Sequence, residues 1–74
     1  MNNLAEHLAM RLWVDHAYKL QASAARLERL AQHAKRRREL DRAEELMDTA
    51  ADNRRAATRL LHQVLTHFDH EGTA

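Results

Sequence analysis

Apolar and small residues recur along this chain at alternating steps of three and four, and the recurrence loses its phase once, across Ala34 to Glu44. Before the break they fall at Met10, Trp13, Ala17, Leu20, Ala24, Leu27, Ala31 and Ala34. After it they fall at Leu40, Ala43, Met47, Ala50, Ala57, Leu61, Val64 and Phe68, with Arg54 taking one position of the series. This is the spacing of a helix stripe that packs against another helix. Carrying the first register forward would set Arg38, Asp41 and Glu45 on the stripe, so a straight helix would turn its apolar side away from any partner. A stutter in a continuous helix is one remedy, and a chain reversal is the simpler one.

Local chemistry agrees with a reversal. Asn3-Leu4-Ala5-Glu6 and Asp41-Arg42-Ala43-Glu44 both have the spacing of a capping box at a helix start. Lys35, Arg36, Arg37 and Arg38 place cations at the negative end of the first helix dipole, and Asp41 and Glu44 place acids at the positive end of the second. The sequence predicts an all-α, coiled-coil-like antiparallel two-helix hairpin. Its expected parts are a helix over about 3–37, a turn at about 38–41, a helix over about 42–69 and a fraying tail at 70–74. The turn holds neither glycine nor proline, which keeps two rivals in play: one continuous helix, and a bundle with a third helix starting near Thr49 to Asn53.

Charge supplies a long-range clue. Residues 19–38 carry seven basic groups and one acid, whereas 39–52 carry six acids and one base. Folding at the turn lays these stretches side by side, with Lys35 and Glu44 as a flank pair. Exposed ion pairs contribute only ~0–1 kcal/mol each, so the pattern selects the antiparallel alignment more than it holds the fold.

Composition narrows the function classes. Twelve Lys and Arg against eleven Asp and Glu leave a net charge of +1 over 74 residues, which gives no global field to draw in nucleic acid or a membrane. The lack of cysteine removes disulfides and thiolate metal sites. No basic stretch followed by an apolar core opens the sequence, and no apolar run approaches the ~18 residues that cross a bilayer. Acids share the polar faces with arginines and alanine makes the stripe shallow, unlike a membrane-surface helix. The expectation is a cytoplasmic protein without a membrane partner.

Two helices share one mutual interface, yet more apolar residues are present than it can cover. Leu4, Leu8 and Leu12 run up the first helix, and Leu30, Leu46, Leu60 and Leu65 lie beside the stripes, with Trp13 and Phe68 near the termini. Such leftovers at helical spacing are expected protein-interface residues, covered if two hairpins associate as a homodimeric four-helix bundle. Trp13, Leu20, Leu61, Val64 and Phe68 are the expected bulky core at the end away from the turn. Arg54 is expected to pack its stem and reach Glu28, a partner chain or solvent.

Reactive chemistry finds little footing. No catalytic triad spacing, glycine-rich phosphate loop or cysteine nucleophile occurs, so no enzyme, no cofactor and no catalytic residue are expected. Of six histidines, His62, His67 and His70 are the densest candidates for a metal, but their spacing matches no zinc signature, and no metal is expected. Lys35, Arg36, Arg37 and Arg38 form the candidate nucleic-acid contact, although acids follow at once and Trp13 and Tyr18 are distant. The function expected is a small regulator, adaptor or inhibitor that binds itself and another protein. The alternative is a nucleic-acid-binding regulatory dimer that uses the basic tip.

Overall fold

A computed structural model of the chain describes residues 3–72, with side chains from 4 to 67. It is a hairpin of two packed helices, α1 over Asn3–Arg36 and α2 over Leu40–Gly72. Its Cα envelope measures 56 × 18 × 11 Å, close to the ~50 Å that some 34 residues span at 1.5 Å per residue. Both rival arrangements fail, for separate reasons. The chain reverses at the turn, and α2 runs unbroken through the Thr49 region, where the Thr49 hydroxyl donates to the Glu45 carbonyl at 3.0 Å instead of capping a new helix.

The reversal occupies residues 37–39, earlier and shorter than the expected 38–41. Its hydrogen bonds explain how it forms without glycine. The Arg38 N–H donates to the Lys35 carbonyl (3.0 Å) and the Glu39 N–H to the Ala34 carbonyl (2.9 Å), the paired bonds of a Schellman helix end. Arg38 stands at the left-handed position with φ 63°, where glycine is usual and another residue costs about 1 kcal/mol. Glu39 then begins α2 directly, because its carbonyl accepts from the Ala43 N–H at 3.0 Å. Asp41 is therefore inside the first turn of α2, and it acts through the helix dipole, while Glu39 stands at the cap position. At the far end the backbone stays helical to Gly72. That is beyond the helix end expected at about 69, and Thr73 and Ala74 lie outside the described residues.

The core is a line of alanines at heptad spacing. Ala17, Ala24 and Ala31 on α1 and Ala43, Ala50 and Ala57 on α2 are buried, with Ala34 beside the turn and Val64 towards the open end. Val64 is the largest buried side chain among the described residues. Only small groups fit where two helices touch along one line, so the larger members of each stripe are displaced to its flanks. That corrects the expected bulky core in part: Val64 is buried as expected, but Trp13 is 42% exposed, Leu20 and Leu61 are half-buried, and Phe68 lies outside the described side chains.

Candidate interaction surfaces

The flanks of the alanine line build two unlike broad faces. On one, the α1 row Trp13, Leu20, Leu27 and Ala34 meets the α2 row Leu46, Asn53, Leu60 and His67, each row at seven-residue steps. Three observations fix the pairing of these rows. Ala34 and Leu46 line one groove with Leu30, Trp13 and His67 line another, and between them Asn53 Nδ2 donates to Ser23 Oγ at 3.2 Å. Leu46 and Leu60 are half-buried there, and Leu30 is exposed. The Ser23–Asn53 bond escapes a reading of the apolar stripes, because neither residue belongs to them. Its sequence signal is the polar gap at Asn53 midway between Leu46 and Leu60.

The opposite face joins the rows that contain Glu28 and Arg54. Arg54 Nε donates to Glu28 Oε2 at 3.0 Å and Nη2 to Oε1 at 2.6 Å, a bidentate fork that fixes both side chains. The hydrogen bond from Arg54 holds the Glu28 carboxyl below its usual range, desolvation opposes this, and the arginine charge adds to it. The same bond raises Arg54, with the Glu28 charge adding and desolvation opposing. The expected reach of Arg54 to Glu28 is thus made, and solvent and a partner chain are not needed to satisfy it. Glu28 is the one acid of the basic stretch 19–38, so this cross-helix pair runs against the bulk charge pattern. Asp52 and Arg55 form a second ion pair, within α2.

A third surface points away from both. Leu8 is nine residues, two and a half turns, from the buried Ala17, so it projects opposite α2. Leu4, Leu8 and Leu12 are 72%, 54% and 68% exposed. Packing α2 on α1 cannot cover them. Leu65 on α2 is also largely exposed.

Lys35, Arg36, Arg37 and Arg38 are all exposed at the turn. The expected Lys35–Glu44 pair is not made: both line a groove with Leu40 and Met47, yet they form no ion pair there, whereas Arg54–Glu28 and Arg55–Asp52 do. Apposition of the two charged stretches therefore leaves the basic tip uncommitted. His62 and His67 are exposed on α2, the His70 side chain lies outside the described residues, and no three potential metal ligands come together among those described. Among the described residues no polar or charged residue is buried, and no helix is long and apolar enough to cross a membrane.

Comparison with known proteins adds no relative: no protein-family model, characterised protein or solved structure matches the chain.

Proposed function

We propose that this hairpin is a non-enzymatic protein–protein interaction module, a regulator, adaptor or inhibitor, that works in the cytoplasm as a homodimer of two hairpins in a four-helix bundle. The observation that carries the reading is the outward row Leu4, Leu8 and Leu12. Covering a leucine side chain contributes about 1.5–3 kcal/mol, whereas an exposed ion pair contributes ~0–1 kcal/mol, so this row outweighs the charged tip as a source of binding energy. Dimerisation has separate support. A core made of alanine methyl groups, each worth about 0.8 kcal/mol, is thin for a chain of 74 residues, and small domains commonly make up such a deficit by association.

Sizing with light scattering at micromolar concentration is expected to give twice the 8.6 kDa chain mass, and a monomer mass would overturn the dimer. Affinity capture with wild type and Leu8→Glu tests the module: a protein retained by the first and lost by the second is the expected result.

A second reading, a nucleic-acid-binding dimer, is favoured by one observation, the four tip cations that are exposed and in no ion pair among the described residues. Reversing Arg36 and Arg37 to Glu separates the two. Salt-sensitive retention of DNA or RNA that is lost in this variant would favour the nucleic-acid reading, and a protein partner that survives it favours the module.

A further inference from the structure

On the face that carries Trp13 and Leu46, large apolar and charged residues recur at matching distances in both directions along the hairpin. On α1, Glu6 and Trp13 lie as far towards the open end from residues 21–22 as Arg37 and Leu30 lie towards the turn. On α2, Leu60 and His67 lie as far from Asn53 on one side as Leu46 and Glu39 lie on the other. The two centres are level, because the Ser23–Asn53 hydrogen bond ties them across the hairpin. The face therefore has the Ser23–Asn53 bond at its middle, apolar residues on either side of it, and the opposite charges of Glu6 and Arg37 at matching distances.

We infer that the homodimer forms when a second copy docks on this face with its long axis reversed, the two-fold axis passing at the level of Ser23 and Asn53. The inference rests on the dimer proposed above and adds its face and orientation. A two-fold axis across the hairpin stacks α1 on the partner's α1, so Trp13 meets Leu30, Leu46 meets Leu60, and Glu6 meets Arg37. The other two-fold choice, along the hairpin, gathers Arg37, Glu39 and Arg42 of both copies at one end, where each copy brings a net positive charge, and sets Glu6 of both copies together at the other. Area is sufficient, since a face 56 Å long and 18 Å wide offers about 1,000 Å² per copy, against the about 800 Å² per partner of a standard interface. The Glu28–Arg54 face and the Leu4, Leu8, Leu12 row stay outside, which leaves the outward row free for a different protein.

The chain has no cysteine, so a spin label on Arg36→Cys reports a single position per copy. In the reversed dimer two such labels stand roughly 43 Å apart along the axis, from 1.5 Å per residue; in the unreversed dimer they share one end, within about 25 Å. Pulsed electron–electron distance measurement on the full chain is expected to give the long distance. Leu30→Glu, which leaves a side chain already exposed in the lone hairpin, is expected to keep helical circular dichroism and raise the dimer Kd roughly thirtyfold or more. Glu6→Arg and Arg37→Glu are each expected to weaken the dimer, and the double variant to recover it. A dimer with the short distance, or one indifferent to Leu30→Glu, overturns this inference and leaves the dimer reading standing. A monomeric wild type overturns both.

Discussion

The two broad faces of the hairpin share one alanine line and differ in what flanks it. One flank is bridged by the bidentate Arg54–Glu28 fork and leaves Leu40 and Met47 exposed nearer the turn. The other keeps Trp13, Leu20, Leu27, Leu46 and Leu60 incompletely covered and is bridged at its middle by Ser23 and Asn53. The difference separates two tasks that larger cores combine. Alanines decide that the helices pair and at what distance, and the flanks decide which side of the pair meets other molecules.

The largest expected effect attacks what both faces share. Ala24 is fully buried, so Ala24→Leu overpacks the line and should destabilise by about 1–3 kcal/mol in denaturant melts. Ala22→Leu, on an exposed position of the same helix, should change stability by less than about 0.5 kcal/mol. Equal effects would mean that the alanine line does not hold the faces together. Next comes the turn. Arg38→Gly relieves the left-handed position and should stabilise both faces alike by about 1 kcal/mol, read as a higher midpoint with unchanged helicity; a loss would mean that the chain does not reverse through that conformation.

Smaller effects distinguish the faces. Ser23→Ala removes the acceptor for the Asn53 amide and should cost about 0.5–1 kcal/mol in the same melts. Glu28→Gln addresses the other face through pH. Because the folded carboxyl is held below its ordinary range, its contribution is complete above the unfolded pKa and is lost as pH falls through the folded one. Wild type should therefore lose part of its melting-temperature advantage over Glu28→Gln on acidification through that window. A constant difference between the two proteins would show that the exposed pair contributes nothing measurable.

The spacing of the alanines made the hairpin and its seam legible in the sequence, since only a heptad repeat with one phase break puts Ala17, Ala24 and Ala31 opposite Ala43, Ala50 and Ala57. Other features were hidden for physical reasons. The capping-box pattern at Asp41 points to a later turn, whereas backbone bonds from Arg38 and Glu39 close α1 and a left-handed arginine does a glycine's task. Trp13 was expected inside because the stripe contains it, but helices that touch along alanines leave no room for an indole between them. Lys35 and Glu44 show that opposite charge in the right neighbourhood does not make a pair. The outward position of Leu8, by contrast, follows from counting turns from Ala17, and the structure places it there.

The three-residue turn also sets an order of events in time. Ala31 and Ala43, which line one groove, are 12 residues apart in the chain, while Met10 and Val64, at the other end, are 54 apart. Closing the longer loop first would cost about 1.3 kcal/mol more in chain entropy than closing the shorter. Pairing therefore advances from the turn outward and retreats from the open end inward, so the segment that bears Leu4, Leu8 and Leu12 is the last to be anchored and the first to be released. A partner that grips this segment acts on the free end of a zip fastener whose slider starts at Arg38.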